Sequence, residues 1–142
     1  MTSGEQFLFV NAEATLGEAG FRPYIPIALV NQQCSATASA LLDTGATVNV
    51  LPYQLGIDLG YIWERQTVTL NLTGNFAQYD ARVVVIQATI SQFEPVQLVF
   101  TWTKAVQVPL ILGQVNFFME FDVCFYRSQL YFVVSPKNKP SE

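Results

Sequence analysis

The chain of 142 residues contains no histidine. That absence removes Ser-His and Cys-His nucleophile pairs and most imidazole metal sites, so hydrolytic chemistry here falls to carboxylates. Cysteine is scarce as well. Cys34 and Cys124 cannot build a disulfide framework, and their spacing fits no zinc pattern. They read as reduced thiols of a cytoplasmic protein, with one bridge between them as the open alternative, and Cys124 is expected as a small buried residue. Charged residues make up 13% of the chain, against roughly 25% in ordinary soluble domains. The seven basic residues are scattered and the net charge is −4, which leaves no basic stripe for nucleic acid. Long apolar runs are missing too. Val83 to Phe100 comes closest to the roughly 18 residues of a membrane span, and Gln87, Thr89, Gln92 and Glu94 interrupt it. The opening MTSGEQFLFVNAEA lacks the basic start and apolar stretch of a signal peptide, so no membrane partner is expected.

Apolar residues are plentiful by contrast, at 51% of the chain. A single small core does not use that many, which points to surface buried between subunits. The length fits one domain, expected over residues 1–134. The polar segment 135–142, with two prolines, is expected as a disordered tail.

Strand patterns dominate. Tyr24 to Val30 and Ser39 to Leu42 flank a polar turn at Asn31-Gln32-Gln33, which predicts a hairpin. Thr67 to Thr73 alternates apolar and polar residues, Gly74-Asn75 follows, and Phe76 to Ile86 returns, predicting a second hairpin. Val96 to Trp102, Ser128 to Val134 and Phe7 to Val10 are further strands. Helix is confined to a short segment over Gln114 to Phe121 and a turn around Tyr53 to Asp58. The fold class is mainly β with one or two short helices.

One carboxylate stands out. In ALLDTGATVN, Asp43 ends an apolar run and precedes a glycine. Asp-Thr-Gly is ordinary turn chemistry by itself, and a turn Asp capping a strand is the bland reading. Two further elements follow in order along the chain: the Gly74-Asn75 hairpin and the apolar run Leu110-Ile111-Leu112 ending at Gly113.

Leu41-Leu42-Asp43-Thr44-Gly45-Ala46, followed by Leu110-Ile111-Leu112-Gly113, resembles the single-domain aspartic proteases, the retropepsins. The run Thr47 to Gly56 and the ending Gly113 to Phe125 are most similar to the bacterial retropepsin-like proteins. The resemblance implies a retropepsin-like acid protease barrel with Asp43 as catalytic residue. Thr44, Gly45 and Ala46 then form the active-site loop, Thr73, Gly74 and Asn75 a substrate-binding flap, and Ile111, Leu112 and Gly113 the second apolar-glycine element. No cofactor or metal is implied. Viral enzymes of the family brace the loop with an acidic residue just after the Ala and an Arg just after the second Gly. Thr47 and Gln114 stand there instead, so this loop needs another brace.

The chemistry agrees. Without metal or nucleophile, peptide hydrolysis needs a base to activate water and an acid to protonate the departing nitrogen. Two adjacent carboxyls sharing one proton do both. The chain has one Asp-Thr-Gly, and Asp58-Leu59-Gly60 lacks the hydroxyl, so a dyad needs Asp43 from each chain of a homodimer. The resemblance implies that Phe7 to Val10 and Leu130 to Val134 form interface strands. The expected function is a cytoplasmic aspartic endopeptidase acting on peptide or protein substrates. The alternative is a catalytically silent dimerisation or peptide-binding module on the same fold.

Overall fold

The computed structural model describes residues 4–71 and 80–137. Among them are twelve strands and two short α-helices. In chain order the strands are β1 (Glu5–Leu8), β2 (Val10–Asn11), β3 (Phe21–Arg22), β4 (Tyr24–Asn31), β5 (Cys34–Leu42) and β6 (Asn49–Pro52). After helix α1 (Tyr53–Asp58) come β7 (Thr69–Asn71), β8 (Asp80–Thr89), β9 (Val96–Thr103) and β10 (Ile111–Leu112). Helix α2 (Phe117–Glu120), β11 (Phe121–Tyr126) and β12 (Tyr131–Pro136) complete the set.

The β4–β5 hairpin turns at Gln32-Gln33, where Gln32 takes a positive φ of 55°. Ile25, Ile27 and Leu29 alternate inward along β4, while Pro26 points out. Strand β5 begins at Cys34, earlier than the Ser39 expected from sequence. Its first half is Cys-Ser-Ala-Thr-Ala-Ser, too weakly apolar to register as a strand until β4 pairs with it. The larger sheet runs β4-β5-β10-β6-β9-β8, and β8 pairs back onto β4 at Leu29↔Ala88, closing a six-stranded barrel. The start of β8 pairs with β7 instead, Thr69 opposite Arg82.

The barrel interior and the sheet β1-β12-β11 share one core. Leu51, Ile86, Leu98, Phe100 and Leu112 fill the barrel, and Phe117, Phe121, Phe132 and Val134 connect it to the second sheet. Phe117 stacks on Phe121 at 5.0 Å, and Phe7 on Phe132 at 5.6 Å. Each such side chain removed from water contributes about 1.5–3 kcal/mol. Trp102 and Trp63, expected as packing residues, are both buried and meet edge to face at 4.9 Å. The guanidinium of Arg82 lies over Trp63, and Tyr61 beside this cluster donates its hydroxyl to the Val85 carbonyl at 2.8 Å. Burial pushes the Tyr61 phenol above its ordinary pKa.

Several expectations are corrected. The helix after Gly113 is shorter than Gln114 to Phe121, because residues 114–116 are spent on hydrogen bonds to neighbouring loops and strands. Residues 127–129 form a 3-10 turn, so the last strand starts at Tyr131, and it runs through Ser135 and Pro136, past the expected boundary at 134. Cys124 is exposed: it lies opposite Val133 on the outer face of β11, away from the core. Both cysteines are free thiols. The terminal runs pair with each other inside one chain, Glu5 to Leu8 against Val134 to Tyr131. Strand β12 thus has a neighbour on both edges along residues 131–134, and β1 and β11 are the edges of this sheet. The outer face of the sheet carries exposed Leu8 and Tyr126. Residues 138–142 of the expected tail lie outside the described residues. Among the described residues no helix is long and apolar enough to cross a membrane.

Candidate active site

Strand β5 delivers Asp43 and β6 carries the chain away, yet these two strands are not neighbours. Strand β10 is threaded between them, parallel to β5 (Leu112↔Leu42) and antiparallel to β6 (Ile111↔Val50). Residues 43–48 therefore arch over the end of an inserted strand. This explains why Leu110-Ile111-Leu112 is apolar without alternation. Leu112 faces the barrel core, while Ile111 joins a second small cluster with Val50, Ala105 and Val108. Ala46 and Val48 of the arch rest on that second cluster, which supports it from beneath.

Backbone hydrogen bonds stitch the arch to the inserted segment. The Asp43 N–H donates to the Leu112 carbonyl at 3.0 Å, the Gln114 N–H to Ala46 at 2.9 Å, and the Val115 N–H to Thr47 at 2.9 Å. The Asn49 N–H donates back to the Val115 carbonyl at 3.1 Å. Gly113 is held where no side chain fits: a Cβ there would lie 2.5 Å from the Val48 carbonyl oxygen and 2.7 Å from that of Ala46. The brace missing from the sequence pattern is also located. The Gln114 side-chain amide donates to the Thr44 carbonyl at 2.8 Å, so a neutral hydrogen bond ties the arch.

Asp43 is half-buried, with Thr44 and Gly45 exposed beside it. Its Oδ1 accepts the Gly45 N–H at 3.0 Å. The turn reading of Asp43 is thus realised, and it coexists with a carboxylate presented toward solvent. Among the described residues a Cβ on Gly45 would meet only Asp43 Oδ1, at 3.4 Å, so none of them demands glycine there. Thr73, Gly74 and Asn75, the expected flap, lie outside the described residues; the strands on either side, β7 and β8, pair antiparallel. A groove of about 460 Å³ lined by Glu94, Val96, Glu120, Phe121 and Lys137 includes no residue of the arch.

Sequence reasoning missed Asn49 and Asn116. Asn49 is fully buried and hydrogen-bonds Gly113, Val99 and Asn116. The signal available was an amide flanked by valines in Val48-Asn49-Val50-Leu51, since a polar side chain inside an apolar run must find partners.

No protein-family model matches the chain, and no curated protein matches it by sequence. Solved structures do match. A retropepsin-like aspartic protease from Rickettsia conorii superposes with a TM-score of 0.65 over 94% of each chain, at 13% identity. The EIAV protease in complex with the inhibitor HBY-793 superposes with a TM-score of 0.52 at 18% identity, covering 66% of this chain and 82% of that one. The six-stranded barrel, the strand threaded beneath the Asp43 arch and these likenesses agree: the chain has the retropepsin-like fold.

Proposed function

We propose that the protein is an aspartic endopeptidase that hydrolyses peptide bonds with a water molecule held between two Asp43 carboxyls, one from each chain of a homodimer. The observation that carries this reading is the arch: a lone ionisable side chain held half-exposed on a loop that is stitched along its length to a threaded strand. The likeness to aspartic proteases supports the same chemistry.

In the proposed reaction the two carboxyls share one proton, because adjacent like charges resist ionising together. The ionised Asp43 accepts a proton from water as its oxygen adds to the substrate carbonyl carbon. The protonated Asp43 of the second chain hydrogen-bonds the carbonyl oxygen. A carboxyl proton then passes to the nitrogen as the C–N bond breaks, releasing acid and amine and restoring the proton count of the pair. Thr44 and Gly45 flank the carboxylate, where we place the substrate backbone, and Thr73, Gly74 and Asn75 are assigned as the flap. In a single chain Asp43 is only half-buried, so a second copy and a bound peptide must exclude the remaining water for the electrostatics to strengthen. The termini are assigned to the dimer interface. A partner strand adds at the β1 or β11 edge, or packs on the outer face bearing Leu8 and Tyr126, because β12 is already paired on both sides. Two free thiols suit the reducing cytoplasm, where we place the protein.

Asp43→Asn tests the proposal. Asn keeps the Oδ1 that accepts the Gly45 N–H, so the arch and a folded dimer should survive while cleavage of a peptide library is abolished. Cleavage retained by the purified variant, or full activity from a strict monomer in sedimentation, would overturn the assignment. A wild-type dimer that binds peptides without cutting them would favour the silent module.

A further inference from the structure

Beneath the arch lies a second layer of contacts made entirely by neutral amides. Asn49 is fully buried, and both ends of its side chain are engaged. Its Oδ1 accepts the Gly113 N–H at 2.7 Å, while its Nδ2 donates to the Val99 carbonyl at 3.0 Å and to Asn116 Oδ1 at 3.3 Å. Asn116 continues the series: its Oδ1 also accepts the Val99 N–H at 2.9 Å, and its Nδ2 donates to the Gln97 carbonyl at 3.0 Å. These bonds fix the amide orientation, since a flipped Asn49 would set its NH₂ against the Gly113 N–H and its oxygen against two oxygens. The stretch of β9 before its pairing with β6 begins at Phe100 would otherwise present open N–H and C=O groups, and Asn116 occupies them.

The network reaches Asp43 without touching its carboxylate. Gly113, held by Asn49, sits in close contact with the Ala46 and Val48 carbonyls of the arch. The residue before it, Leu112, accepts the Asp43 N–H. Asp43 is the one ionisable residue in the joined segments 43–52, 97–99 and 110–116, so no charge competes with it there. We infer that Asn49 and Asn116 are positioning residues for the peptidase reaction: they lock Gly113 to β9 and thereby set the height and direction of the Asp43 backbone at the dyad. The kinetic part of this inference rests on the proposed peptidase function; the positioning itself does not.

The test uses the full-length chain at dimer-forming concentration, with Asn49→Ala, Asn49→Asp and Asn116→Ala. The two alanine variants should lower kcat by about tenfold or more, because small misplacements of reacting groups cost rate steeply. KM should stay within about threefold of wild type, since uniform substrate binding is left intact. Backbone amide exchange followed by NMR should accelerate at Gly113 and Asp43, while Ile27 and Leu29 in β4 keep their protection. Asn49→Asp adds a readout that general destabilisation would not move. The protonated acid can accept from Gly113, as Asn does, and donate to one of the two oxygens that the Asn amide reaches; the ionised acid faces the Val99 and Asn116 oxygens with no donor. Its kcat relative to wild type, corrected for folded fraction, should therefore be highest at acidic pH and fall as pH rises. A pH-independent ratio, kcat within about twofold of wild type in the alanine variants, or unchanged exchange at Gly113 would overturn the inference. If Asn49→Ala does not fold, Asn116→Ala and Asn49→Asp at acidic pH decide. If wild type cleaves nothing, the peptidase proposal fails and the exchange measurements alone settle whether these residues hold the arch.

Discussion

A methyl group added to Gly113 has nowhere to go. The new Cβ would lie 2.5 Å from the Val48 carbonyl oxygen and 2.7 Å from that of Ala46. Carbon–oxygen contacts settle at roughly 3.3–3.6 Å, so the overlap is about 0.6–1.1 Å against backbone atoms. A flexible side chain could swing away, but these carbonyls are fixed by the stitching of the arch to residues 112–115. Overpacking of this kind costs about 1–3 kcal/mol, which for a domain of this size lowers Tm by about 3–10 °C. Gly45→Ala is the matched control, because among the described residues its Cβ meets only Asp43 Oδ1 at an ordinary 3.4 Å. Its stability should stay within about 0.5 kcal/mol of wild type. Differential scanning calorimetry at one protein concentration, paired with a fluorogenic peptide assay, separates the two. Gly113→Ala should lose both stability and cleavage. Gly45→Ala should lose cleavage alone, because substrate backbone must approach the loop there. An unchanged Tm for Gly113→Ala would refute the packing argument for the threaded strand. Full cleavage by Gly45→Ala would show that substrate does not lie over this loop.

Two further expectations are independent of that pair. Gln114→Ala removes a single exposed hydrogen bond, so its stability should fall by about 0.5–1.5 kcal/mol at most. Its kcat should fall far more than KM rises, and steady-state kinetics with wild-type values would show that the amide does not brace the arch. Burial raises the Tyr61 phenol above its ordinary pKa of 10.0, so between that value and the higher one the folded chain binds more protons than the unfolded chain. This contribution is complete below pH 10 and lost as pH rises through the raised value. Urea midpoints of Tyr61→Phe should start lower, from loss of the bond to Val85, and then decline less steeply than wild type in strongly alkaline buffer; parallel declines would refute it.

The Asp43 motif, the apolar run ending at Gly113 and the mainly β class were all legible from local pattern, because each leaves a signature within a few residues. A strand that must be apolar on both faces reads as an unbroken run, as in Leu110-Ile111-Leu112. Alternation in β4 follows from one face meeting the core. The weak first half of β5 and the strand β11 were not legible in this way. Small residues and a mixed Phe-Asp-Val-Cys-Phe-Tyr run acquire strand character only from the neighbours they pair with. The exposure of Cys124 followed the same rule: its face of β11 was decided by register with β12, not by its own hydrophobicity.

By itself, then, the amino-acid sequence determined that no histidine is present to serve a Ser-His or Cys-His pair and that one Asp-Thr-Gly is present, since both follow from counting residues. Only the tertiary structure decided how Asp43 is held. Gln114, Asn49 and Asn116 gain their partners from segments far away along the chain, across a barrel that brings β10 between β5 and β6. Hydrogen bonds between such distant segments leave no periodic trace in the sequence, because nothing but the closed fold places them together.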